Sequence, residues 1–188
     1  MKVAVLLESD FYEPELFYYE RRFEEENIEL DFVTRLWGNS ELSFRGHEYG
    51  LERRCSKSFE DLSDDDIRDY SAIIVPSGMV ADRLRYTEDP KIAPPATRFL
   101  ARAFSYPSVL KGIICHGALL MTPMPWVLRG RKMTAHNNLL GDLRNMGAVY
   151  VDEDVVVDRD FISGRSGAQC QKFAHTIIEH LQSNTKNH

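Results

Sequence analysis

The residue with most chemistry in its surroundings is Cys115. It closes the apolar run Val109-Leu110-Lys111-Gly112-Ile113-Ile114-Cys115 and is followed by His116 and Gly117. A thiol where a strand meets a helix faces the helix N–H groups and the positive end of its dipole. Both favour thiolate, so the position predicts titration below the free-thiol value of about 8.5. Gly117 lets the backbone turn sharply, much like the nucleophile elbow of hydrolases. The competing reading of Cys115 is a small buried hydrophobe. Cys55 and Cys170 lack this context and read as structural. Three cysteines in 188 residues do not make a disulfide framework. A reducing cytoplasm is the expected compartment, and Cys115 is expected to be reactive, not bridged.

Positioning such a thiol takes alternating strands and helices, and the sequence supplies them. Lys2 to Leu7 is nearly continuously apolar, as in a strand buried on both faces of a parallel sheet. A turn follows at Glu8-Ser9-Asp10, then a helix over Glu13 to Asn27 with Pro14 in its first turn. Leu16, Tyr19 and Phe23 fall at helical spacing. Ile28 to Thr34 alternates like a strand, and residues 37–57 read as a hairpin or irregular excursion. Ser63 starts a helix. Residues 71–76 form a buried strand, Pro95 to Tyr106 a helix and residues 109–115 another strand. His116 to Met121 looks like a helix start that Pro123 and Pro125 break. Arg131 to Ala135 is a short strand, and Asn138 to Met146 a helix capped by Gly147. Strands at 149–151, 154–157 and 160–163 precede a closing helix over Gln169 to Gln182.

This order predicts an α/β fold: a doubly wound, mostly parallel, flavodoxin-like sheet with helices on both faces. Residues 1–182 form one domain, and residues 183–188 a polar, frayed tail. Ligands in such sheets sit beyond the carboxyl ends of the strands. The segments to inspect are Glu8 to Glu15, Ser77 to Asp82 and Cys115 to Gly117.

Composition narrows the function classes. Lys+Arg 23 against Asp+Glu 29 gives a net charge of −6, without the basic footprint of a nucleic-acid binder. No apolar run approaches the roughly 20 residues of a membrane span, so neither nucleic acid nor membrane is an expected partner. No paired histidine spacing, dinucleotide fingerprint or phosphate loop is present, so no metal or other cofactor is expected.

Five segments, in order, resemble the ThiJ/PfpI superfamily, which is related to class I glutamine amidotransferases and includes the parkinsonism-linked deglycase. They are Leu6 to Leu16, Ile73-Ile74-Val75-Pro76-Ser77-Gly78, Ile113 to Leu120, Val127-Leu128-Arg129-Gly130-Arg131-Lys132, and Asp154 to Asp158 with Phe161 to Arg165. The resemblance spans nearly the whole chain and implies a glutamine amidotransferase-like sandwich. It makes Cys115 the nucleophile, His116 its neighbouring histidine and Glu15 the acid against the thiol. It also implies an oxyanion hole from the N–H of Gly78 and one at Cys115 or His116.

The resemblance mixes two branches. In the PfpI-like branch an acid from a neighbouring subunit orients the histidine, and Asp82 falls at that position with Asp for the usual Glu. In the deglycase-like branch a different histidine lies near the thiol, and His136 aligns with it. Ser77 replaces the first glycine of the strand-end pair, and Tyr12 stands where many relatives have an acid. Residues 91–108 and 121–126 look longer than usual. Taken by themselves, Glu15 reads as a solvated first-turn acid, His116 as a polar residue at a helix start, Asp82 as a helix-start charge and Gly78 as a turn glycine.

The expectation is a cofactor-independent cysteine enzyme acting on a small carbonyl or amide substrate. It would be a hydrolase, or a glyoxalase or deglycase acting on 2-oxoaldehyde-derived compounds. His116 or His136 moves protons and Glu15 tunes the thiol. A homodimer or higher homo-oligomer is expected because Asp82 would act across an interface. The alternative is a redox-sensing or chaperone protein with an oxidisable cysteine. Transcriptional regulation is disfavoured, since no added DNA-binding domain is present.

Overall fold

The structure is a computed structural model that describes residues 1–185. Ten strands follow in chain order: β1 (Lys2–Leu6), β2 (Glu29–Val33), β3 (Leu42–Arg45), β4 (Glu52–Cys55), β5 (Ala72–Val75), β6 (Leu110–Ile114), β7 (Lys132–Met133), β8 (Val149–Tyr150), β9 (Val155–Asp158) and β10 (Phe161–Gly164). Six form the central sheet in the order β2-β1-β5-β6-β10-β9. All neighbours in it are parallel except the edge pair β9–β10. The order reverses direction between β1 and β5, where a doubly wound sheet opens its ligand crevice.

The α-helices are α1 (Glu13–Glu25), α2 (Asp64–Asp69), α3 (Val80–Leu84), α4 (Pro95–Phe104), α5 (Leu140–Asn145) and α6 (Cys170–Thr185). Side chains alternate across each strand, so the two faces of the sheet feed two cores. Ala4, Leu6, Ile73, Val75 and Ile113 pack on one side with Phe99 and Leu100 of α4. Val3, Val5 and Ile74 pack on the other with Tyr19 and Phe23 of α1 and Phe173 and Ile177 of α6. Burial of each large apolar side chain contributes about 1.5–3 kcal/mol. Ser63 opens α2 through a reciprocal capping box with Asp66. Lys111 lies fully buried near the start of β6, its ammonium bonded to Asp160 and to the Tyr106 carbonyl.

Of the two readings of residues 37–57, the structure has the hairpin, β3–β4, which is antiparallel. Other boundaries differ from the sequence expectation. The segment after Cys115 is a 3₁₀ turn over Cys115–Met121, not the start of an α-helix. The polar tail read from Ser183 instead continues α6 for three residues, and residues 186–188 lie outside the described residues. The stripe near the N-terminus divides: Phe11 and Tyr19 are core, Phe17 and Tyr18 are half-buried, and Tyr12 faces a cavity. No helix among the described residues is long and apolar enough to cross a membrane.

Candidate active site

Four strand ends converge beyond the carboxyl edge of the sheet: those of β1, β5, β6 and β10. The first two are tied together. Phe11 and Gly78 pair in an antiparallel bridge. The Met79 N–H donates to the Asp10 carbonyl at 3.0 Å. Gly78 has φ +82°, and a Cβ there would lie 2.5 Å from the Asp10 oxygen, so both conformation and space demand glycine.

Cys115 forms the elbow at the end of β6. Its φ of 59° is left-handed, a conformation costing a non-glycine residue about 1–3 kcal/mol. The strain sits on the cysteine itself, where the sequence assigned the turn to Gly117. Gly117 serves close packing: a Cβ there would lie 2.9 Å from Ile113 Cγ2 and 3.0 Å from the Val75 oxygen.

The backbone N–H groups of His116, Gly167 and Gly78 lie near the Cys115 sulfur and favour its charged form. Burial outweighs them, and the charge of Glu15 adds to it, so the thiol titrates above its ordinary value. This overturns the expectation of a depressed thiol. A 3₁₀ turn of seven residues stands where an α-helix dipole was expected, and the half-buried sulfur has lost much of its water.

Glu15 is fully buried, not the solvated acid of the simpler reading. Its Oε1 accepts from the Tyr19 hydroxyl at 2.5 Å, and its Oε2 from the Ser77 N–H at 2.9 Å. The Ser77 hydroxyl also bonds Oε2. Burial raises the carboxyl to about 7, against the opposing pull of Ser77 and Tyr19. Serine in place of the family's glycine therefore gives this acid a hydroxyl partner. Burial likewise pushes the Cys170 thiol up to about 11, helped by the Glu15 charge, and suits its structural reading.

His116 has a polar side chain on each side. Its Nδ1 lies 3.4 Å from Asp82 Oδ2 in α3. Its Nε2 lies 3.3 Å from Asn138 Nδ2. Asn138 Oδ1 reaches His136 Nδ1 at 2.7 Å, and the two imidazole rings stand edge to face with centroids 5.4 Å apart. Asp82 thus approaches the histidine of its own chain, and both facing atoms, Asp82 Oδ2 and His116 Nδ1, are buried without a hydrogen-bond partner. The features of the two branches coexist in one cluster.

The site opens into a cavity of about 440 Å³, lined among others by Tyr12, His47, Met79, Cys115, His116 and His136. Tyr12 and His47 stack at 5.7 Å with an interplanar angle of 24°. His47 comes from the β3–β4 hairpin, whose tip is organised by Glu13. The fully buried Glu13 carboxylate accepts the N–H groups of Glu48, Tyr49 and Leu51 at 2.9, 2.9 and 3.3 Å. Burial alone would raise Glu13, but these donors together hold it below the usual carboxylate value.

The structure brings together every residue singled out from sequence: Cys115, His116, Glu15, Asp82, Gly78 and His136. Gly167, Ser77, Tyr19, Asn138, His47 and Glu13 were not picked out as site residues. The strand-end rule extends to Gly167, since β10 is also a parallel strand whose carboxyl end faces the site. A Cβ on Gly167 would lie 2.7 Å from Tyr12 and 2.8 Å from the Ser77 hydroxyl. His47 carried no signal, because its hairpin is placed by a buried carboxylate from another element.

Fold and site define a class: doubly wound α/β proteins with a strained cysteine elbow at the carboxyl edge of the sheet. The DJ-1/PfpI family model matches residues 1–180, and the chain belongs to that family. It is 30% identical over 183 residues to an uncharacterised protein of Archaeoglobus fulgidus, covering 97% of this chain and 99% of that one. It is 27% identical over 182 residues to a deglycase of Pyrococcus horikoshii, covering 97% and 100%. Among solved structures, a two-domain Anabaena variabilis protein with DJ-1/ThiJ/PfpI-like and ferritin-like domains has a TM-score of 0.82 at 23% identity, covering 96% of this chain and 48% of that one. Schizosaccharomyces pombe DJ-1 has a TM-score of 0.76 at 22% identity, covering 96% and 91%.

Proposed function

We propose that this chain is a cofactor-independent cysteine enzyme that attacks the carbonyl of a small substrate. The observation that carries the reading is the Cys115 elbow: a left-handed cysteine at the end of a buried parallel strand, with the backbone N–H groups of His116, Gly167 and Gly78 near its sulfur. Such strain persists at functional positions, and a packing cysteine does not need it.

The raised thiol sets the order of events. Cys115 rests as a thiol and gives up its proton as the S–C bond forms. The carbonyl π pair moves to oxygen, where the N–H groups lining the site stabilise the negative charge. His116, beside Asp82, takes the thiol proton and later returns it. Glu15, poised near 7, sets how much negative charge the sulfur faces. With an acyl substrate the leaving group departs and water releases the acid. With a 2-oxoaldehyde the first product is a hemithioacetal, the entry to a hydroxy acid. The deglycase names of two Pyrococcus relatives support chemistry of this carbonyl type.

The raised titration of the thiol weighs against the sensor reading, which needs a low-pKa sulfur. Turnover of methylglyoxal and of a small activated ester by wild type and Cys115→Ala tests the proposal. Turnover lost in the variant supports it. Turnover unchanged in the variant, or absent from both proteins, overturns it.

A further inference from the structure

The cavity beside Cys115 is wide for a small aldehyde. Its volume is about 440 Å³. A three-carbon 2-oxoaldehyde has five non-hydrogen atoms. At about 30 Å³ each, the share of a water molecule in the liquid, they would fill about a third of it. Pockets of this size hold larger, ring-bearing molecules. Among the described residues no Lys or Arg lines the cavity, and the carboxylate in its wall, Asp10, is bonded to Arg83. An anionic group on the substrate would shed its water there without a permanently charged partner.

One wall of the cavity is aromatic. Tyr12 and His47 line it as a stacked pair, with centroids 5.7 Å apart and planes at 24°. The polar edge of His47 is engaged by the chain: Nδ1 donates to the Asp10 carbonyl at 3.1 Å, and Nε2 lies 3.2 Å from the Glu48 carboxylate. What remains of the imidazole for a ligand is ring surface. Two glycines connect Tyr12 to the thiol. Gly167, whose N–H lies near the Cys115 sulfur, packs so closely on Tyr12 that a Cβ there would lie 2.7 Å from the ring. Gly78, whose N–H also lies near the sulfur, would place a Cβ 3.0 Å from the Tyr12 backbone nitrogen. The aromatic wall therefore begins one residue's width from the reacting sulfur. Met79 and Ala168 add exposed apolar surface to the same cavity.

We propose that the substrate carries a flat, uncharged aryl ring on the carbonyl that Cys115 attacks, and that Tyr12 and His47 select it by stacking. The proposal rests on the reading of Cys115 as the nucleophile. A ring bonded directly to that carbonyl reaches the wall while the carbonyl carbon sits at the sulfur. Stacking of ring on ring adds to the burial of apolar area, so the wall separates a flat body from a puckered one of equal size. With an arenecarboxylate ester the Cys115 S–C bond forms, the ester C–O bond breaks and the thiol proton leaves with the alcohol. Water then cleaves the S–C bond, giving the carboxylic acid and restoring the thiol.

The test reads binding first, on the whole chain carrying Cys115→Ala, which forms no covalent bond. The probes are acetophenone and cyclohexyl methyl ketone, a flat and a puckered ring on the same carbonyl group, titrated by protein NMR. Acetophenone is expected to bind about 3-fold more tightly or better. Added Tyr12→Leu, which keeps bulk and removes the ring, and added His47→Ala should each narrow that ratio, while Tyr12→Phe should keep it. A loss of structure would weaken both ketones alike, so the ratio isolates stacking. Equal affinities, no binding of either ketone, or a ratio that survives either ring-removing substitution in full overturns the proposal. Turnover of vinyl benzoate and vinyl cyclohexanecarboxylate by chains that keep Cys115 is the second reading. Tyr12→Leu should lower kcat/KM about 3-fold more for the benzoate than for its saturated counterpart. An aryl preference in binding without Cys115-dependent turnover refutes the enzymatic reading alone. Cys115-dependent turnover without an aryl preference refutes the stacking role alone.

Discussion

Glu13 and Glu15 lie two residues apart in the first turn of α1, both fully buried, and hold their protons in opposite ways. Glu13 accepts backbone N–H groups from the hairpin tip and stays below the usual carboxylate value. Glu15 accepts from Tyr19 and Ser77, but burial outweighs these donors and the carboxyl rises to about 7. One turn of helix thus supplies a permanent anion that builds the cavity wall and an ionisable acid beside the thiol.

The pH dependence of stability follows from Glu15. Its folded value of about 7 exceeds the ordinary 4.5, so its neutral form favours the native state. That contribution is full below the unfolded value, and it is lost as pH rises through the folded one. The loss is on the order of 3 kcal/mol. Glu15→Gln should therefore gain on wild type as pH rises across this window, by urea unfolding on either side of it. It should also lower the pH at which Cys115 reacts with iodoacetamide, because the carboxylate raises the thiol. Parallel stability profiles and identical thiol titrations would return Glu15 to a purely structural part.

Glu13 has the opposite sign. Its stabilising effect is present above the ordinary value and fades as pH falls through the lower folded one. Glu13→Ala leaves three backbone donors without their carboxylate and should cost about 2–4 kcal/mol. Amide hydrogen exchange should speed up at Glu48, Tyr49 and Leu51 in the variant. Unchanged protection there would show that the hairpin tip holds itself.

Much of this molecule is legible as sequence, for definite reasons. The buried strands β1, β5 and β6 are continuous apolar runs, and Leu16, Tyr19 and Phe23 mark the inner face of α1. The elbow is visible because Cys115 directly follows such a strand. The thiol's direction of titration was not legible, since it depends on how completely Glu15, Ser77 and the loop after β10 exclude water. The in-chain neighbour of His116 was not legible either. Position alone puts Asp82 at a family interface residue, whereas the packing of α3 against the elbow turn brings it to its own histidine.

The elbow's strain is measurable. Removing the side chain as Cys115→Ala keeps the left-handed backbone of a non-glycine residue, whereas Cys115→Gly relieves it. The glycine variant should be more stable than the alanine variant by about 1 kcal/mol in chemical denaturation. An alanine variant as stable as glycine would mean that the φ of 59° is not strained.

The 3.4 Å approach of Asp82 to His116 of its own chain predicts a site that is not shared. Equimolar Cys115→Ala and Asp82→Ala chains should regain no activity on mixing, because each active centre draws thiol, histidine and acid from one chain. Restored turnover after subunit exchange would establish a shared site.

The central claim is that Cys115 becomes covalently bonded to substrate. Rapid-quench mass spectrometry of wild type turning over a small activated ester reads this directly. The account predicts an acyl group that appears on the Cys115 peptide and disappears as fast as product forms. An acyl group on another residue, or product release at the wild-type rate by Cys115→Ala, would contradict it.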